Sequence, residues 1–208
     1  MHIKTAKLKE NKKMKSAKEY RQIARESLKG NWGAAIGVTI VYSLILSAVA
    51  ATGIGALILG GALCCGLTFV FVSAIREKKV VFENLFEGFK KPNFSATIGL
   101  YVKTCIFVML WSLLFYIPGI VAIYKYSMAP YILMDHPEMT GGEAITASKN
   151  LMQGKKWKLF CLQLSFIGWC LLGAITFGIA FIWVGPYMQA AQAAFYEDIK
   201  AEVGTVAE

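Results

Sequence analysis

Charge is missing from most of this sequence. No Asp, Glu, Lys or Arg occurs from Asn31 to Ile75 or from Leu159 to Tyr196, and only Lys103 and Lys125 interrupt the stretch from Phe94 to Met134. Across 208 residues 17% are charged and 56% are hydrophobic, whereas soluble domains carry about 25% charged residues. Apolar stretches of that length do not suit a soluble globular fold. Histidine is scarce as well, with only His2 and His136, so no Ser-His-Asp or Cys-His constellation can be assembled convincingly. Asp135-His136-Pro137-Glu138 crowds its ligating types onto one Pro-containing turn, which does not let them face a single ion. Acidic residues are absent inside all three apolar blocks. Ion-coupled transporters carry intramembrane carboxylates, so that class is disfavoured. Gly53-Ile54-Gly55 lacks the third glycine and the preceding strand of a dinucleotide fingerprint. There is no Gly-Lys-Ser/Thr phosphate loop either. The five cysteines, Cys64, Cys65, Cys105, Cys161 and Cys170, have neither metal nor redox spacing and read as small apolar packing residues. No enzyme activity, metal or cofactor is expected.

What is present is organised by length. Each block runs about 40 residues, roughly 60 Å as straight helix, twice the ~30 Å hydrocarbon core of a bilayer. Lipid tolerates no exposed irregular backbone, so each block must be two helices with a tight return. The predicted spans are 32–52, 56–75, 95–116, 119–135, 158–176 and 178–196. The returns are Thr52-Gly53-Ile54-Gly55, Ile117-Pro118-Gly119 and Thr176-Phe177-Gly178, where glycine and proline allow reversal. The expected fold is all-α: a polytopic membrane protein of six transmembrane helices in three hairpins, each preceded by a short amphipathic cytoplasmic helix. Its parts are a basic arm and helix (1–31), hairpin 1 (32–75), a loop (76–94), hairpin 2 (95–135), a loop (136–157), hairpin 3 (158–196) and a tail (197–208). Ala48-Val49-Ala50 resembles a signal cleavage site, but the preceding charged region is too long and the apolar run continues past it, so the segment is expected to be retained.

The formal net charge of +9 is placed at block ends. Ten Lys and Arg precede Trp32, five lie between Arg76 and Lys91, and four between Lys149 and Lys158. That is the positive-inside pattern, which puts all three clusters and both termini in the cytoplasm. It also leaves no reason to invoke nucleic acid.

The inner segments share a plan. Ser16-Ala17-Lys18-Glu19 is a capping box opening a helix with Tyr20, Ile23, Ala24 and Leu28 on one face. Phe82, Leu85, Phe86 and Phe89 form a second helical stripe. Thr140-Gly141-Gly142-Glu143 is another capping box, leading into Ala144, Ala147, Leu151 and Met152. Each stretch runs into an aromatic that begins a block: Trp32, Phe94 and Trp157. Leu28 and Gly30 precede the first, Leu151 and Gly154 the third, while Pro130-Tyr131 and Pro186-Tyr187 recur in the second and third returning helices. The spacing reads either as a threefold parallel repeat of short helix plus hairpin, of the kind that commonly builds a site at its shared interface, or as the periodicity that any series of hairpins acquires from positive-inside flanks and interfacial aromatics.

Several of these residues carry a resemblance. Leu28-Lys29-Gly30-Asn31-Trp32, Tyr126-Ser127-Met128-Ala129-Pro130-Tyr131-Ile132-Leu133, Asp135 and Pro137, Glu143-Ala144-Ile145 and Leu164-Ser165-Phe166-Ile167-Gly168-Trp169 resemble the bacterial integral membrane family known as domain of unknown function 975. Pro186-Tyr187 and Ala194-Phe195-Tyr196 complete the match, which spans essentially the whole chain. More distantly the sequence is similar to the membrane domain of some glycerophosphodiester phosphodiesterases, whose catalytic domain it lacks. The resemblance implies a bacterial, mainly Gram-positive, membrane protein and carries no activity.

Candidate site residues are intramembrane and polar. Lys125 lies six residues past Gly119, at a depth where a charge costs about 2.5–3.5 kcal/mol. It either holds an anionic headgroup or carboxylate, or its stem snorkels to the outer face. Lys103 lies near the cytoplasmic boundary and reads as snorkelling. Gln163, Gln189 and Gln192 read as interhelical hydrogen-bonding groups or as part of a site. Pro130 and Pro186 each free a backbone carbonyl and are candidate helix kinks. Gly33-xxx-Gly37 and Ala62-xxx-Gly66 are close-packing patterns with partners left open. Two functions follow: binding or moving an amphiphile such as a lipid or membrane-active peptide, or serving as a scaffold that docks a cytoplasmic protein partner or anionic lipid.

Overall fold

The computed structural model describes residues 14–50, 54–90, 93–114, 116–176 and 178–204. The expected turn residues Thr52, Gly53 and Phe177, most of the basic arm and the end of the tail lie outside these. All regular structure among the described residues is helical. In chain order the helices are α1 (Ala17–Leu28), α2 (Trp32–Ala50), α3 (Ile54–Glu77), a 3-10 helix (Phe82–Phe89), α4 (Asn93–Leu114) and α5 (Tyr116–Tyr126). Then come α6 (Ala129–Asp135), α7 (Gly141–Leu151), α8 (Lys156–Leu164), α9 (Ile167–Ile175) and α10 (Phe181–Gly204). Four stretches, Trp32–Val49, Leu59–Glu77, Phe94–Ser112 and Lys156–Ile175, are long and apolar enough to cross a membrane.

The short helices begin where the sequence places them. Ser16 and Thr140 each accept from the backbone N–H three residues on, while Glu19 and Glu143 reach back to the cap, closing both capping boxes. Gly30 and Gly154 have φ of +85° and +70°. They end α1 and the turn after α7 in the left-handed region, which costs a residue with Cβ but not glycine. Gly30 redirects the chain into the long apolar helix α2, and Gly154 into α8.

Three differences from the expected elements have physical causes. Phe82–Phe89 is a 3-10 helix, not an α-helix. It lies backbone-to-backbone on α3, where a Cβ at Gly66 would overlap the Leu85 carbonyl and one at Gly88 would overlap that of Ala62. The expected span 119–135 is interrupted at Ser127–Met128, with Pro130 in the first turn of α6. Proline lacks the N–H that would bond the Tyr126 carbonyl, so the helix restarts there. The expected span 158–176 is interrupted at Ser165–Phe166. Ser165 Oγ donates to the Leu162 carbonyl at 2.6 Å, and Arg21 Nη1 donates to the Ser165 carbonyl at 2.7 Å. Side-chain bonds that compete for backbone groups weaken a helix at such a point.

Packing is cyclic: the 3-10 helix, α7 and α1 each run antiparallel along another helix of the bundle. The 3-10 helix runs back along α3, with Asn84 donating to Ser73 Oγ at 2.9 Å and Gly88 reaching Ala62. Helix α7 runs back along α6 and α5, burying Ala144 and Ile145 with Ala129 and Leu133, and Ser148 donates to the Lys125 carbonyl at 2.8 Å. Helix α1 closes the cycle on α10: Lys15 pairs with Asp198, Tyr20 packs on Phe195, and Arg25 lies over Tyr187. The three returning helices then meet at one end. Asp135 on α6 receives Arg76 of α3 and, from α10, the Tyr196 hydroxyl at 2.7 Å and Lys200 Nζ at 2.6 Å.

The α1 clasp is pH-sensitive. Burial alone would raise the Asp198 carboxyl, but hydrogen bonds from Lys15 and Tyr20 outweigh it and hold its pKa below the usual carboxylate range. A lowered folded-state pKa contributes stability above the unfolded value of about 3.9. That contribution is lost as pH falls through the lowered value. Corrected for intrinsic exchange rates, amides of residues 17–28 should lose protection below about pH 4, the unfolded carboxylate value, before those of residues 185–195. Equal protection of α1 at pH 3 and pH 6 would count against the clasp.

Candidate ligand cavity at the helix interface

Where the three returning helices and their neighbours meet, they leave a cavity of about 310 Å³. Gly61, Cys64 and Cys65 of α3 form one wall. Thr97, Leu100, Tyr101, Thr104 and Val108 of α4 form the next. Ile123, Tyr126, Ser127 and Pro130 come from α5 and α6, and Gln163 and Gln192 from α8 and α10. Helices α3, α4, α5, α6, α8 and α10 therefore contribute to one space.

Local sequence shapes each wall. Gly61 lets α4 approach: a Cβ there would sit 2.6 Å from Tyr101 Cβ and 2.9 Å from the Thr97 carbonyl oxygen. Thr97, Tyr101 and Thr104 follow helical spacing along one face of α4, so a polar stripe crosses an otherwise apolar helix. Thr97 Oγ1 donates to the Phe94 carbonyl at 2.8 Å. Ser127 Oγ donates to the Tyr124 carbonyl at 3.0 Å. The Tyr124 hydroxyl donates to Gln163 Oε1 at 2.7 Å, tying α5 to α8. Thr104 Oγ1 is buried with no hydrogen-bond partner. An unsatisfied buried hydroxyl costs about 1–3 kcal/mol.

The structure gathers some of the sequence candidates and separates others. Pro130, Gln163 and Gln192 line the cavity together. Gln189 and Pro186 lie on α10 away from its lining, and α10 continues through Pro186. Lys125 is also outside it; its Nζ lies 5.7 Å from the centroid of the Trp111 ring. Trp111 is near the end of α4 that joins α5, so the ammonium leans toward the tip of that helix pair. Lys103 Nζ lies beside Gly142 at the start of α7. All five cysteines are free. Among the described residues no group of three His, Cys, Asp or Glu is placed to hold a metal. His136 instead faces Glu138 at 3.1 Å, while Asp135 is occupied by Arg76, Tyr196 and Lys200.

Sequence reasoning missed Thr97, Tyr101 and Thr104, although their shared helical face was a legible signal. It also missed the cations that pair with Asp135, namely Arg76 and Lys200, and the Lys15 that pairs with Asp198. Nothing in linear spacing brings Lys15 to Asp198, 183 residues away.

Taken together, the described residues define an all-helical protein with four stretches suited to a membrane and a largely apolar cavity that carries a few polar groups. The chain belongs to the family described as protein of unknown function (DUF975), which matches residues 14–125 and 114–203. No curated protein and no solved structure matches it.

Proposed function

We propose that the chain is an integral protein of a bacterial cell membrane that binds an amphiphile, without catalysis, in the cavity shared by its three units. In this reading six helices form three parallel hairpins entered from the cytoplasm, with both termini on that side. Support for a lipid environment comes from the exposed apolar side chains on the long helices, among them Leu44, Met109, Leu110, Leu171 and Ile175. The observation that carries the binding reading is Thr104 Oγ1, buried and unpartnered on a residue of the cavity wall that Gln192 also lines. A ligand hydroxyl, amide or headgroup atom would satisfy it, while Leu100, Val108 and Ile123 receive a chain. At about 310 Å³ the space is at the small end for ligand pockets and suits one chain rather than a two-chain lipid. Lys125, resting on Trp111, then serves as a snorkelling anchor.

Native mass spectrometry of gently extracted protein tests this. Wild type should retain a defined amphiphile, Thr104→Val with Gln192→Leu should lose it, and Lys125→Leu should keep it. In ligand-free protein Thr104→Val should raise Tm by about 2–4 °C per kcal/mol recovered. Equal retention by wild type and the double variant, or no retention by wild type, would overturn the assignment.

A further inference from the structure

A second cleft lies between α1 and the α9–α10 pair. It has a volume of about 520 Å³ and is lined by Lys18, Arg21, Gln22, Arg25, Glu26, Trp169 and Tyr187. Lys18, Arg21 and Arg25 follow helical spacing and share one face of α1. Two of the three cations are held in place. Arg21 donates to the Ser165 carbonyl at 2.7 Å, and its Cζ lies 6.0 Å from the Phe166 ring centroid. Arg25 Cζ lies 5.9 Å from the Tyr187 centroid. Tyr187 is itself fixed between Trp32, Phe166 and Trp169. Among the described residues none of these cations forms an ion pair with an acidic side chain. The one carboxylate in the cleft, Glu26, accepts from Gln22 at 2.8 Å.

The location adds the second half of the argument. The cleft sits where the basic face of α1 ends against exposed apolar side chains of α9 and α10: Ile167, Trp169, Leu172 and Trp183. Cations held over aromatic rings at the edge of a lipid-facing surface match an amphiphile with an anionic head and acyl chains. Arginine supplies several donors to phosphate oxygens, and the aromatic floor keeps the guanidinium groups from folding away.

We infer that this cleft binds the phosphate headgroup of an anionic phospholipid from the leaflet that α1 faces, with its chains along Trp169, Leu172 and Trp183. The inference needs the membrane reading but not the cavity reading, since the two sites share no lining residue. Binding also gives the break at Ser165 a role: it frees the carbonyl that holds Arg21 in position.

The test is a titration of the purified full chain in neutral detergent with phosphatidylglycerol, phosphatidylcholine or inorganic phosphate, followed by native mass spectrometry and thermal unfolding. Wild type should bind phosphatidylglycerol in preference to phosphatidylcholine, and added salt should weaken it. Lys18→Gln with Arg25→Gln, which removes no hydrogen bond of the fold, should weaken phosphatidylglycerol binding roughly 30-fold. Retention of a cavity amphiphile should be unaffected. Equal binding of both lipids by wild type would overturn the proposal even if the variant failed to fold. Unchanged affinity in a folded variant would overturn it too. An equal response to inorganic phosphate would make the cleft a site for a soluble anion, not a lipid.

Discussion

Gly66→Leu is expected to prevent the protein from reaching its folded state, whereas Gly37→Ala is expected to leave it intact. Both glycines belong to small-residue patterns of the same kind, but their surroundings differ completely. A Cβ at Gly66 overlaps the Leu85 carbonyl, and backbone cannot step aside as a side-chain tip can. Overpacking a core commonly costs about 1–3 kcal/mol. A clash with the main chain of the 3-10 helix, which is itself held at Gly88 against Ala62, should exceed that range. At Gly37 nothing lies within 4 Å of the added carbon, so alanine should gain about 0.5–1 kcal/mol from helix propensity. Fluorescence-detected size exclusion after mild extraction reads both outcomes. A monodisperse Gly66→Leu protein with wild-type Tm would show that the 3-10 helix does not dock as described.

Asp135→Ala should lower Tm by roughly 5–10 °C, from a loss on the order of 2–3 kcal/mol. The side chain of Asp135 is only 6% exposed and joins the ends of all three returning helices. Arg76 and Lys200 are each about a third or more exposed, so solvent screens their share. The larger loss falls on Tyr196, whose ring is buried against Tyr131 and whose hydroxyl would be left without its acceptor. Asp135→Asn keeps an acceptor oxygen and should cost about half as much. Differential scanning fluorimetry of the two variants separates the hydrogen bond from the charge. If both match wild type, the returning helices are held together elsewhere.

The Gly66 and Gly37 pair shows how far the sequence can be read. Small residues four apart state that something can approach a helix closely, but not that anything does. Ala62-xxx-Gly66 is covered by the 3-10 helix from a loop. A spacing rule written for paired long helices gives no hint of such a partner. The stripe Phe82, Leu85, Phe86, Phe89 has the spacing of a helix of 3.6 residues per turn, yet the segment is a 3-10 helix that buries Leu85 and Gly88 and leaves Phe82 and Phe86 exposed. The polar site divides the same way. Gln163 and Gln192 were visible as polar groups in apolar helices, yet only folding places them with Thr104 and separates them from Gln189.

What the sequence determined by itself is local and periodic. Charge-free blocks dictate apolar helices, because only hydrogen-bonded backbone is tolerable beside so much apolar surface. Ser16 with Glu19, and Thr140 with Glu143, dictate where α1 and α7 begin. Gly30 and Gly154 dictate where the chain turns into the next unit. Each of these depends on neighbours within a few residues. Tertiary structure decided which faces meet: the docking of the 3-10 helix and α7 on the bundle, the closure of α1 on α10, and the convergence of Arg76, Asp135 and Tyr196. Those contacts join residues 11 to 183 positions apart. Their geometry follows from packing complementarity across the whole bundle, which no local pattern encodes.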